Sequence, residues 1–132
     1  MAAVGSVDVE LLMIGEVQAK VGSSVVVRDE LDNNLLEELP TIQINVVGGD
    51  DDSFRLDRAL VDIDVYAASR GAAIALAAIV HAFVLTELPG SSTDAAVIGR
   101  TRTISRPAAR PYENTGLRRV GATYEIYSHP VS

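Results

Sequence analysis

The chain has no cysteine and no tryptophan, only two histidines, and aromatic residues make up just 5% of its 132 positions. Without cysteine there are no disulfides, thiolate zinc sites, iron–sulfur clusters or thiol nucleophiles, whatever the redox compartment. Scarce aromatics argue against a platform that stacks single-stranded bases. Basic residues are also few in the first half: through Tyr66 fourteen acids face only Lys20, Arg28, Arg55 and Arg58. With a net charge of -7, such a chain is a poor general binder of nucleic acid, because affinity for phosphate comes from Lys and Arg.

From Ala67 onward the balance reverses, with four acids against seven arginines. The two halves are therefore electrostatically complementary, which suits subunits that meet head to tail, although Asp and Arg that merely solvate different loops give the same pattern. Asp8 and Glu10 precede the first base, Lys20, so the start lacks the positive region of a secretory signal and a cytoplasmic site of synthesis is expected. The longest apolar run, Gly71 to Thr86, is broken by His81 and bounded by Arg70 and Glu87. It falls short of the roughly 20 residues a bilayer span needs and reads as a buried helix, so no membrane partner is expected.

What is present is enough apolar material for a core. Hydrophobic residues reach 48% and charged residues 22%, which predicts one packed domain over residues 1–132. Leu11, Leu12, Ile14, Val17 and Val21 recur at helical spacing behind Ser6 or Asp8 as cap, predicting a helix from about Val7 to Lys20. A brief strand is expected at Ser24 to Arg28, a helical turn within Leu31 to Glu38, and a strand from Thr41 to Val47. Gly48 to Ser53 reads as a turn-rich loop.

Leu60 to Ala67 is the clearest strand, with Val61, Ile63 and Val65 on one face and Asp62, Asp64 and Tyr66 on the other. Ser69 is a candidate cap for a helix over Ala72 to Leu88. That helix is apolar all round: Leu76, Ile79, Val80 and Phe83 make one face, and Ile74, Ala78 and Leu85 continue around it. It is expected to be buried on more than one side, against the first helix or against a neighbouring subunit. After a Pro89 to Ser92 loop, Ala95 to Arg106 alternates, with Ile98, Arg100, Arg102, Ile104 and Arg106 on one side. Leu117 to Ser128 alternates again through Val120, Ala122, Tyr124 and Ile126, and Pro107 to Gly116 between them reads as an extended arm or wide hairpin. The fold class expected is α+β, a mainly antiparallel sheet with two principal helices packed on one face.

No catalytic signature stands out. There is no Gly-x-Ser-x-Gly elbow, Walker loop or Gly-x-Gly-x-x-Gly turn, and no His-x-x-x-His or His-Glu pairing for a metal. No cofactor and no metal are expected. His81 is most simply a core or interface histidine. Asp50, Asp51 and Asp52 lack the alternate spacing of a calcium loop and read as a solvated acidic turn. Asp62 and Asp64 project roughly 7 Å apart from one strand face. With no His, Lys or glycine-rich phosphate loop assigned beside them, they read as a polar surface or a subunit contact with Arg, not as carboxylate chemistry. The arginines Arg100, Arg102 and Arg106 could hold phosphate, but a neighbour's carboxylates are their better use.

The run Leu56-Asp57-Arg58, then Val61 to Ala67, the Ala-rich helix after Arg70, and Arg110-Pro111-Tyr112-Glu113-Asn114 through Gly116 to Ile126 carry a resemblance. Over roughly Pro40 to Pro130 the chain resembles the tail terminator, or tail completion, proteins of long-tailed bacteriophages, particularly those infecting actinobacteria. The resemblance implies a non-enzymatic virion protein of the tail or neck, assembled in the host cytoplasm as a homo-hexameric ring. Such a ring caps the tail tube protein, ends its polymerisation, presents a surface to the head–tail connector protein and lets genomic DNA pass without specific binding. The residues expected at subunit or tube contacts are Asp62, Asp64, Arg100, Arg102, Arg106, Tyr112, Arg118 and Arg119. Asp62 and Asp64 would meet arginines of the next subunit, and loops at Gly48 to Phe54 and Pro107 to Gly116 would order on the tube or connector. The alternatives are another neck or minor tail component, or a cytoplasmic α+β dimer that binds a ligand or acts as an enzyme through Asp62, Asp64 and His81.

Overall fold

A computed structural model describes residues 7–53, 56–113 and 116–130, and the side chains of residues 51–56 lie outside that description. The first helix, α1 (Val9–Val21), starts where Asp8 accepts a hydrogen bond from the Leu11 amide at 3.0 Å. Val9, Met13 and Val17, spaced four apart, form its buried stripe. It stops at Gly22, whose φ of 84° suits glycine. The Gln18 side chain then donates to the carbonyls of Gly22 and Val25, turning the chain into β1 (Val26–Arg28). A single tight turn at Leu35–Glu37 leads to β2 (Thr41–Ser53).

β2 pairs antiparallel with β3 (Leu56–Ala67), which pairs with β5 (Arg118–Pro130), which pairs with β4 (Ala96–Arg110). The spatial order is β1-β2-β3-β5-β4, with only β1 parallel to its neighbour. Between β3 and β4 lies α2 (Arg70–Ala82), capped by Ser69 and continued by one wider turn, Phe83–Glu87. α1 rests on β1 and β2, and α2 on β3, β5 and β4. This is the α+β class that the patterning predicts.

The period-2 alternation sorts the two sheet faces. Ile42, Ile44, Val61, Ile63, Val65, Val120, Ala122, Tyr124 and Ile126 all point into one apolar core under the helices. From α2 and the turn that continues it, that core takes Ala73, Ala77, Val80, Phe83 and Val84, and the two alanines let the helix sit close to the sheet. The opposite sheet face is polar, with a smaller apolar cluster of Leu35, Tyr66 and Leu117 at one end.

Three expectations give way here. Gly48 to Ser53 is not a loop: β2 continues through it, crossing register shifts between Val46 and Gly48 and between Asp51 and Ser53. Gly49, at φ 143°, lets the strand pass where a β-carbon would strike the Arg58 carbonyl. β4 likewise runs on through residues 107–110, which shortens the expected arm. And α1 does not cover the outer face of α2: within the single chain Ile74 and Ile79 remain 41% and 50% exposed, because α1 lies over the other half of the sheet, which leaves a neighbouring subunit as the expected cover. The helices are tied by an ion pair, Lys20 Nζ to Glu87 at 2.8 Å. By length and composition Arg70–Glu87 is apolar enough to cross a membrane, although its buried stripe is spent on the sheet.

Candidate functional site

The polar face of the sheet gathers most of the residues singled out in the sequence. Its floor is β3 paired to β5: Asp62 opposite Thr123, Asp64 opposite Gly121 and Tyr66 opposite Arg119. Asp64 is a buried carboxylate, with a side chain only 4% exposed. Such a charge is sustained only by partners, and it has two. Arg119 reaches both of its oxygens, Nε to Oδ1 and Nη2 to Oδ2, each at 3.1 Å, a two-pronged guanidinium clasp. Arg110 donates from Nη1 to Oδ1 at 3.1 Å and from Nη2 to the Thr123 hydroxyl at 3.3 Å. Thr123 in turn donates to Asp62.

Gly121 makes this crossing possible, since a β-carbon there would lie 2.6 Å from two atoms of the Arg110 side chain and overlap the Asp64 carboxylate. The hydrogen bond to Asp64 raises the Arg119 pKa. Beside it, Tyr66 donates to Gln43 at 3.0 Å and meets the Tyr112 ring edge-on at 5.3 Å between centroids. Burial pushes the Tyr66 phenol up to about 12, so it stays protonated at neutral pH. The Arg119 guanidinium lies 5.8 Å from the centre of the Tyr66 ring.

A second cluster centres on Glu125, whose side chain is 3% exposed. Arg58 Nε donates to it at 2.6 Å, and Arg102 Nε stands 3.4 Å from its other oxygen. The Arg58 hydrogen bond is the main reason the Glu125 pKa falls below the usual glutamate value, and the same bond raises that of Arg58. Arg58 also reaches Asp50 at 3.3 Å, and Arg100 lies 4.6 Å over the Tyr127 ring.

The expected residues therefore divide. Asp62 and Asp64 share a face, and within the chain the arginines they meet are Arg110 and Arg119. Arg100 and Arg102 stand over Tyr127 and Glu125, whereas Ile98, expected on their side, is buried in the core. Register shifts between Ile98 and Thr101, and again between Thr103 and Ala108, break the simple alternation of β4. Arg106 lines a groove of about 370 Å³ with Arg70, Ile74, Ala78 and His81. Tyr112 packs on Tyr66, and Arg118 is exposed with its guanidinium donating to the Leu117 carbonyl at 3.2 Å. Arg58, Arg110, Gly121 and Glu125 were missed. The polar alternation Arg119, Gly121, Thr123, Glu125 was the available signal, because it is the natural complement of Asp62 and Asp64 once β3 and β5 pair.

His81 does not join the two aspartates: it lies on the helix side of the sheet, with Nδ1 2.8 Å from the buried Tyr124 hydroxyl. Burial raises the Tyr124 pKa, so this hydroxyl is a neutral partner for the ring. Among the described residues no three His, Asp or Glu side chains gather to hold a metal ion; the side chains of Asp51 and Asp52 lie outside them. What the polar face offers chemically is fixed, mutually neutralised charge with guanidinium groups at its rim.

The two-layer α+β arrangement, with one face cross-braced by ion pairs, defines the class of protein by its architecture. Among solved structures it is similar to a chain from the virion of a native gene transfer agent (GTA) particle, with a TM-score of 0.57. The likeness covers 86% of this chain and 84% of that one at 20% sequence identity, and it establishes a shared fold. No protein-family model and no curated protein matches the chain.

Proposed function

We propose that this protein is a virion structural protein of a tailed, phage-like particle, and that it acts as a tail terminator. In this reading six copies close into a ring on the end of the tail tube, stop its growth and present the surface that the head–tail connector binds. The genome passes through the ring without specific contacts, and the protein works by shape and charge, not by catalysis. The observation that carries the reading is fold likeness to a chain of a virion particle over nearly the whole of both chains. The motif resemblance from Leu56 to Ile126 supports the finer assignment, as does a sheet whose polar face is locked by its own ion pairs. A rigid, preorganised charge lattice suits a subunit that must keep one shape in a ring.

The test is electron microscopy of tail tubes polymerised with and without the protein. A terminator caps tubes of fixed length with a ring of density at one end. Tubes that elongate equally in its presence overturn the terminator assignment, and binding only to the connector would favour another neck component.

A further inference from the structure

The two ends of the sheet carry opposite charge. β4, the outer strand on one side, has no acid across Ala96–Arg110; of its four arginines Arg102 and Arg110 are paired with Glu125 and Asp64, which leaves Arg100 and Arg106. Beside it Arg70 of α2 joins Arg106 at the groove floored by Ile74, Ala78 and Ala108. Among the described residues neither Arg70 nor Arg106 has an ion-pair partner. On the other side, β2 has no base across Thr41–Ser53 and its Asp50 is paired with Arg58 at 3.3 Å, while α1 adds the acids Glu10 and Glu16. The one base of α1, Lys20, is taken by Glu87.

Both ends also expose apolar side chains: Leu11, Val46 and Val47 on the acidic side, Ile104 and Ile74 on the basic side. β1 pairs only with residues 41–43, so the rest of β2 is a free sheet edge, where the Val46 amide is satisfied by the Glu10 carboxylate at 2.9 Å. Because β1-β2 and β4 stand at opposite ends of the strand order, these surfaces cannot meet within one chain.

We propose that the acidic edge formed by α1 and β2 of one copy docks, head to tail, on the basic groove that Arg70 and strand β4 form on the next. The proposal rests on the ring reading above and names the surfaces that would make the ring. A second copy is the occupant because the chain itself supplies the complement of each surface, in charge and in exposed apolar residues. Two different surfaces make the contact heterologous, so it propagates with constant rotation and closes when the rotations sum to a full turn. Unlike charges set orientation and register, while the apolar residues supply burial. Covering the free β2 edge also removes a site for indiscriminate strand pairing.

The experiment uses two double variants of the full chain, checked for native circular dichroism. Arg70→Glu combined with Arg106→Glu spoils only the groove, and Leu11→Lys combined with Val47→Lys spoils only the edge. The wild type associates in sedimentation velocity as its concentration is raised, and each variant alone stays monomeric. Mixed in equal amounts, the intact edge of one meets the intact groove of the other, and association returns at one-to-one stoichiometry. A wild type that is monomeric at millimolar concentration, a variant that associates as the wild type does, or a mixture that stays monomeric overturns the proposal. The tube-capping assay decides the other question: wild-type capping together with any of those results leaves the terminator reading standing and removes these surfaces from it.

Discussion

The carboxylate of Asp64 occupies the space that a β-carbon on residue 121 would fill, so the buried charge of β3 and the glycine of β5 depend on one another. Gly121→Ala must push apart Asp64 and Arg110, the first of which is also clasped by Arg119. We expect a loss of about 1–3 kcal/mol, the usual cost of overpacking, read as a lower urea midpoint with unchanged slope. A variant as stable as the wild type would show that the cluster relaxes freely.

Glu125 predicts the acid limb of stability. Its pKa in the folded chain is below the ordinary glutamate value, mainly because Arg58 donates to it. A depressed carboxylate contributes stability that is fully present above its unfolded-state pKa, about 4.3, and is lost as pH falls through the lower folded value. Urea midpoints measured from pH 7 to pH 3 should therefore fall less steeply for Glu125→Gln than for the wild type. The variant itself should be less stable at pH 7, since the guanidinium of Arg58 loses its charged partner there. Parallel pH profiles would contradict the assignment.

Much of the fold was legible because alternation is a local property. Val61, Ile63 and Val65, and Val120, Ala122, Tyr124 and Ile126, announced their face by spacing alone and lie together in the core. Glycine and aspartate misled at residues 48–53, where they read as a turn; a bulged strand uses the same residues because one position needs a positive φ. The Asp62 and Asp64 face was visible, but its partners were not. Arg110 comes from 46 residues downstream and Arg119 from 55, and which arginine reaches a carboxylate depends on strand order and register, which no local pattern encodes. The uniform apolarity of α2 suggested enclosure, and only the lateral placement of α1 leaves Ile74 and Ile79 open.

That placement separates two substitutions on one helical segment. Phe83 is buried in the core, so Phe83→Ala should cost about 3–5 kcal/mol. Ile79, half exposed, leaves little behind when truncated, and Ile79→Ala should change the stability of the monomer by under about 1 kcal/mol. Thermal melts at low concentration, where subunits do not associate, make the comparison. Equal losses would mean that the outer face of α2 is covered within the single chain.

Arg102→Glu separates folding from assembly. The Arg102 side chain is 64% exposed and its nitrogen lies 3.4 Å from Glu125, while Arg58 holds the other oxygen of that carboxylate at 2.6 Å. Glu125 therefore keeps its principal partner when Arg102 is reversed, and an exposed ion pair contributes only about 0.2–1 kcal/mol. The fold should survive with a stability loss on the order of 1 kcal/mol, including the new repulsion between two acids. Assembly should suffer far more, because the reversed charge sits on the basic edge strand and sets acid against acid wherever that edge meets a carboxylate-bearing surface. Sedimentation of the folded variant checks it: normal rings from Arg102→Glu would remove this residue from the subunit contact, and a variant that unfolds would show that Arg58 alone cannot hold Glu125.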